Sequence, residues 1–335
     1  MKRETVDVVI VGGGLLGLST AYALRDRREV VVLERDTVGH PRGGSHGPSR
    51  VFRLGYPQPE YVRDALFARA GWEALEAEAG RQLLFPTPQL SFGPGADEVH
   101  GALVRVGAPV GRWTEAEIAR RFPEFTGHGG AVYEPASAVI AADRVLDALR
   151  TSMRADLREH VCVRRVETGR VSTDDGTIDA DVVIVCAGPW TRALLPNVAT
   201  HATLEHVAYV RIAGASALPI FIDYRSPAVY GLPTPDSDLY KISVHHGGDP
   251  IDPDAPFVAD PGAVERLRAA CGAWLPGGEI VDIDTCPYDN TADERFIIDR
   301  IDGVVVGAGT SGHAFKFGPL LGERLAALVG PTPSL

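Results

Sequence analysis

The 335-residue sequence has no run approaching the roughly 18 apolar residues that a membrane span needs. It has few cysteines. Cys162, Cys186, Cys271 and Cys286 are widely spaced and form no C-x-x-C pair, which excludes a disulfide-stapled miniprotein. Positive charge is in deficit, Lys+Arg 33 against Asp+Glu 44, for a net charge of −11. A surface that acidic repels phosphate backbones and anionic lipid, so neither nucleic acid nor membrane is expected as a partner, although a local basic patch can still hold a small anion. Internal repeats, low-complexity tracts, metal-ligand spacings, a G-x-S-x-G elbow and basic–aromatic interleaving are also lacking, and no metal is expected. Asp7 follows Met1-Lys2-Arg3 too closely for the plan of a signal peptide, so reduced thiols in a cytoplasmic protein are the expectation.

What is present is ordinary globular material, 45% hydrophobic and 23% charged. At roughly 150 residues per domain the length suggests about two domains. The opening is the most legible part. Val8-Val9-Ile10-Val11 is a β-branched run of the kind buried on both faces of a parallel sheet. Gly12-Gly13-Gly14-Leu15-Leu16-Gly17 follows, then a helix expected from about Leu18 to Arg25, then a second strand, Val30–Leu33, ending in Glu34. In such a βαβ unit Gly12 permits the tight turn, Gly14 lets backbone approach a pyrophosphate, and Gly17 lets helix pack on strand. The helix start offers free N–H groups to phosphates. Glu34 lies about 20 residues past the first glycine, where an acid can accept from a ribose hydroxyl. The unit predicts a dinucleotide site but does not separate NAD from FAD.

Farther along, Val62, Leu66, Trp72 and Leu75 predict a helix, Thr114 with Glu117 a capping box on a short helix to about Phe122, and Val145, Leu146, Leu149 and Met153 another helix. Strands are expected near 161–166 and 182–185, with a turn at Asp174-Asp175-Gly176 between them. Residues 219–261 read as strands joined by long loops; Val264, Leu267, Cys271 and Trp274 mark a helix; Val304–Val306 leads to Gly307-Ala308-Gly309 and a last helix from about Pro319 to Val329. A dinucleotide unit opens the chain, a buried strand ends mid-chain at Cys186-Ala187-Gly188-Pro189-Trp190, and a strand–glycine–helix closes it. The expected fold class is therefore α/β, a Rossmann-type nucleotide domain discontinuous in sequence (1–60, 136–200 and 280–335) with a second, mostly antiparallel α+β substrate domain (61–135 and 201–279). Such a split suits FAD better than NAD.

Four stretches carry a sharper signal: Gly44-Ser45-His46-Gly47-Pro48-Ser49-Arg50-Val51-Phe52-Arg53, Tyr230 ahead of Lys241 and His245, Thr285-Cys286-Pro287-Tyr288, and Gly309-Thr310-Ser311-Gly312-His313-Ala314-Phe315-Lys316. In combination they resemble the monomeric sarcosine oxidase and N-methyltryptophan oxidase family of D-amino-acid-oxidase-like flavoproteins, over nearly the whole chain. Pro48 and Ser49 depart from the small polar residues usual there. The resemblance implies an FAD-dependent oxidase of a small carboxylate-bearing amine, a monomer with O2 as acceptor and hydrogen peroxide as product. It implies a thioether from Cys286 to the flavin, whereas Cys162, Cys186 and Cys271 read as small buried hydrophobes on two strands and a helix. Arg53 and Lys316 match the pair that holds the substrate carboxylate, as a guanidinium fork and a second point charge can. Lys241 matches the lysine that activates oxygen by placing a fixed cation where charge develops. Tyr230, Tyr288 and His245 match residues lining the pocket, His46 and Arg50 flavin-proximal positions, and His313 a shaper of the glycine turn. The cofactor positions implied are Gly12, Gly14, Leu16, Gly17, Glu34, Arg35, Ser45, His46, Ser49, Arg50, Val166, Ala187, Gly188, Trp190, Cys286, Gly309, Ser311, Gly312, His313 and Lys316. Secondary amines, either N-methyl or cyclic, fit that family best. A flavin dehydrogenase, an oxidase tailoring a larger amino-acid-derived substrate, and a nucleotide-binding module without turnover stand as alternatives.

Overall fold

The computed structural model describes residues 2–330; residue 1 and residues 331–335, assigned above to the nucleotide domain, lie outside them. The β-branched run forms the end of strand β1 (Lys2–Val11), followed by helix α1 (Leu15–Leu24) and strand β2 (Val30–Leu33). β1 and β2 pair in parallel, Val8 opposite Val30, with every residue of β2 buried. The helix starts at Leu15, three residues before the sequence expectation. The Leu15 N–H finds a partner in Ser45 Oγ (3.0 Å), thirty positions away, which a local reading cannot supply. β1 also pairs in parallel with Gly176–Val185, whose far end pairs with Val304–Ala308. Segments from the start, middle and end of the chain thus share one eight-stranded sheet.

A nine-stranded sheet holds the central segments, antiparallel except where Ile220–Asp223 runs parallel to Gln89–Phe92. A small third sheet joins Ser49–Phe52, Ala138–Ala141 and Leu84–Pro86. Two expected boundaries shift. The strand Glu279–Asn290 pairs along its length with His201–Arg211 in the second sheet, so the break expected at 280 moves past Asn290. The helix Pro59–Ala79, expected in the substrate domain, instead buries Val62, Ala65, Ala68, Trp72 and Leu75 in the core shared with α1 and the last helix. Leu66 lies one position off that stripe and is 40% exposed.

The remaining local signals give their elements. Thr114 and Glu117 form both bonds of a capping box at the start of Glu115–Arg121. Helices cover Ala142–Ser152 and Pro261–Trp274, and the last helix, Gly318–Ala327, follows a short 3₁₀ turn at Phe315–Phe317. The strand expected near 161–166 runs Val163–Glu167, so Cys162 precedes it, and Cys186 follows the strand Gly176–Val185 rather than lying within it. Cys286 is in a twelve-residue strand, Glu279–Asn290. That strand was illegible because its exposed half carries Asp282 and Asp284 and its buried half begins only at Cys286.

Two glycines set the close packing at the nucleotide turn. Gly12 has φ of +106°, and a Cβ there would meet Cys186 O at 2.3 Å. A Cβ on Gly17 would fall 1.9 Å from Gly12 O. Gly17→Ala should therefore lower stability by about 2 kcal/mol, since overpacking outweighs the helical preference for alanine. Denaturant unfolding checks this, and native-like stability would contradict the packing.

Candidate functional site

A cleft of about 360 Å³ runs between the two large sheets. At one end it is lined by Gly12, Gly14, Leu16, Glu34, Arg35, Ser45, Ala187, Gly188 and Trp190, all expected cofactor positions. Glu34 is 5% exposed. Its Oε2 accepts from Gly13 N–H (2.8 Å) and its Oε1 from Asp36 N–H (2.9 Å), with His40 Nε2 at 3.4 Å. Burial pushes this carboxyl up, but hydrogen bonds from His40, Asp36 and Gly13 outweigh it and hold it below the usual carboxylate range. Arg35 stacks over Trp190 at 4.4 Å, and both bind Asp254 at 2.9 Å. Asp254 belongs to a loop that carries no motif.

At the other end Arg50, Tyr230, Lys241, Cys286 and Tyr288 converge. Lys241 is 4% exposed, on a strand paired with Tyr209, and among the described residues nothing forms a hydrogen bond or ion pair with its Nζ. Burial, reinforced by the Arg50 guanidinium, brings its pKa down to about 7. Arg50 donates to the carbonyls of Ser49 (2.9 Å), Gly44 (3.0 Å) and His46 (2.5 Å), which fixes its head over the loop. His46 bridges Gly43 O (2.7 Å) and Asp284 Oδ2 (3.1 Å), outside the cleft lining but directly behind it. Cys286 is buried with Sγ 3.9 Å from Gly44 O. The Tyr288 ring fits because position 312 is glycine; a Cβ there would sit 2.0 Å from the ring. His245 lies edge-on to both Tyr230 and Tyr288 at 6.1 Å. Burial and the neighbouring His246 drive its pKa down to about 3, so it is neutral and a weak base.

Arg53 and Lys316, distant in sequence, meet at Tyr56. Lys316 Nζ donates to Tyr56 Oη (2.9 Å) and to His313 O (2.7 Å), leaving one of its three protons for a ligand. The Arg53 guanidinium lies 4.3 Å from the Tyr56 ring centre and donates to Tyr224 Oη and Gly55 O, each at 2.6 Å. Hydrogen-bond polarity is fixed along this chain. Glu294 O can only accept, so His313 Nε2 (2.9 Å away) carries the proton and Nδ1 accepts from Tyr56 O–H (3.2 Å). Burial and the Lys316 charge lower the His313 pKa to about 3, consistent with that neutral tautomer. Lys316 itself is held well below the usual lysine range, by burial first and by Arg53 second. Behind Arg53 sits Glu134, 1% exposed. Burial raises its carboxyl against the opposing Arg53 charge.

Sequence reasoning missed Tyr56, Tyr224 and Glu134. Tyr56 lies only three residues after Arg53, and that proximity was an available signal; Tyr224 and Glu134 come from another sheet and carried none. Val166 is not part of the lining: it packs on the sheet's apolar layer, and Val161 to Arg164 line the cleft instead. Gly17, Ser49, Gly309 and Ser311 likewise shape the walls without lining them, with Ser311 N–H bound to Asp289 O at 2.8 Å and Gly309 N–H to Asp289 Oδ2 at 2.7 Å. Although the sequence has no metal-ligand spacing, the fold brings ligand atoms of His245, His246 and Glu294 within 4.8 Å of one another.

The FAD dependent oxidoreductase family matches residues 7–328. Human peroxisomal sarcosine oxidase is 32% identical over 361 residues, covering 98% of this chain and 93% of that protein. The N-methyl-L-tryptophan oxidase of Yersinia pestis is 30% identical over 362 residues, covering 98% and 96%. Among solved structures, NikD, described as an unusual amino acid oxidase essential for nikkomycin biosynthesis, superposes with a TM-score of 0.86 at 27% identity, covering 97% of this chain and 94% of that one.

The depressed lysine has a stability signature. Between pH 7 and about 10.5 the unfolded chain binds a proton at Lys241 that the folded chain does not, so stability should rise with pH across that window. Lys241→Met should be more stable than the native protein below pH 7, and the gap should close as pH rises toward 10. Melting curves at several pH values test this, and a constant gap would contradict it.

Proposed function

The chain belongs to the FAD dependent oxidoreductase family, and from that premise we propose that it oxidises the C–N bond of a small carboxylate-bearing amine, best a secondary one such as an N-methyl or cyclic imino acid. The observation that carries this reading is the convergence of half-buried Arg53 and buried Lys316 on Tyr56, a cationic pair that a carboxylate would neutralise. The cleft fits the cofactor: an acid, Glu34, at one end, unobstructed backbone at Gly188, where an added Cβ would meet nothing within 4 Å, and a buried cation, Lys241, at the other. When bound, FAD accepts two electrons and a proton from the amine carbon and its O2-linked reoxidation yields hydrogen peroxide.

The chain's own residues do the rest by position and fixed charge. Glu34 and Arg35 would hold the ribose end, and the turn from Gly12 to Leu16 the pyrophosphate. Arg53 and Lys316 would clamp the substrate carboxylate and so place the amine carbon. His245 and His313, both neutral, would not act as bases; the substrate would have to bind with its amine deprotonated. Lys241 would offer its charge where oxygen gains electrons, and Arg50 would favour negative charge on the ring. Cys286 would carry the flavin as a thioether, its Sγ 3.9 Å from the Gly44 carbonyl that Arg50 also holds. The likeness to NikD also supports a reading in which the amine is part of a larger amino-acid-derived substrate.

Arg53→Ala should raise the KM for an N-methyl amino acid about 30-fold or more, as expected for losing a charge-assisted contact, with kcat less affected. An unchanged KM in a peroxide-coupled assay would remove the carboxylate anchor. Acid precipitation tests the thioether: yellow colour should stay in the pellet, whereas colour released to the supernatant would refute the Cys286 link.

A further inference from the structure

We propose that Glu134 is the resident counter-charge of the anion subsite, setting it to accept a ligand carrying one negative charge. The inference rests on the carboxylate-anchor reading above. Glu134 ends the strand Ala131–Glu134, directly opposite Gln89 in the antiparallel register, and Ser91 points to the same face two residues on. Its Oε2 accepts from Gly55 N–H at 2.8 Å; its Oε1 accepts from Gln89 Nε2 at 2.8 Å and Ser91 Oγ at 3.2 Å. The Gly55 N–H and the Gln89 amide both donate to the group and the Ser91 hydroxyl is within reach to do the same, a setting that suits an ionised carboxylate. Of these three partners a protonated Glu134 could donate only to the Ser91 oxygen, which already accepts from Gln89 Nε2 at 3.0 Å.

Gly55 couples this anion to the guanidinium. Its N–H binds Glu134 while its carbonyl receives Arg53, and a Cβ at Gly55 would collide with Glu134 Oε1 at 2.3 Å. The loop carrying Arg53 and Tyr56 is therefore seated on one buried carboxylate. With Arg53 balanced by Glu134, the charge left to meet a ligand is that of Lys316, whose protonated form a bound carboxylate favours. A bare pair of cations would take a dianion or scavenge any small anion.

The test is Glu134→Gln in the FAD-loaded protein, titrated with acetate and with malonate while following flavin absorbance. Glutamine keeps an oxygen for Gly55 N–H, and the Gln89 amide can turn to receive the new NH2. The native protein should prefer acetate. The variant should bind acetate about tenfold more tightly, as expected for removing a nearby like charge at intermediate effective dielectric, and malonate should gain more. A scaffolding role alone predicts the opposite sign, so unchanged or weakened acetate binding overturns the proposal. Arg53→Ala is the control. If it leaves acetate affinity unaltered, the anchor reading itself fails; if it abolishes acetate binding while Glu134→Gln changes nothing, only this inference falls. A second measurement does not require the Gln variant to fold. In infrared difference spectra, Arg53→Met minus native should gain a protonated-carboxyl band as Glu134 loses its partner, and absence of that band also overturns the proposal.

Discussion

Two cations sharing one phenol organise the far side of this protein. Lys316 and Arg53 approach Tyr56 from the end and the beginning of the chain, and each would be costly to bury alone. Their charge is offset in three ways: carbonyls of His313 and Gly55 accept from them, the Tyr56 and Tyr224 hydroxyls orient toward them, and Glu134 sits behind the guanidinium. Neither cation is part of the cleft lining that holds Tyr230 and Tyr288; the pair lies beside it, next to Phe315 and Gly312.

That arrangement depends on three long connections. The last helix must return to pack on α1, close enough that a Cβ on Gly322 would meet Ser19 O at 2.5 Å, to place Lys316 beside Tyr56. The strand Glu279–Asn290 must cross from the exposed edge of the second sheet into the core to bring Cys286 and Tyr288 to the cleft. The Lys241 strand must pair with His201–Arg211 so that the lysine head is buried and repelled by Arg50. The same burial that brings the Lys241 pKa down to about 7 keeps His245 and His313 uncharged, so of these three groups only the lysine titrates near physiological pH.

Much of the nucleotide end was legible because its logic is local. The alternating demands of strand, tight turn and helix start fall within 34 consecutive residues, and each leaves a residue signature: β-branched run, glycines, terminal acid. The errors came where a distant partner decided. Ser45 moved the helix start to Leu15, Val166 fell on the wrong layer because the strand begins at Val163, and Leu66 faced outward because the stripe runs through Ala65 and Ala68. The strand of Cys286 left no readable pattern, since half of it is solvent-facing and too acidic to read as sheet.

By itself the sequence determined the nucleotide unit and the family motifs, Arg53 and Lys316 among them, because each is a short pattern of residue type and spacing. Only the tertiary structure decided what surrounds those cations. Tyr56, Tyr224 and Glu134 bear on Arg53 through a loop and two strands that meet only after both large sheets have formed, and the protonation of Lys241 follows from burial that no spacing encodes. Residue type states what a group can do; its neighbours in space set its charge and direction, and those neighbours are chosen by the fold.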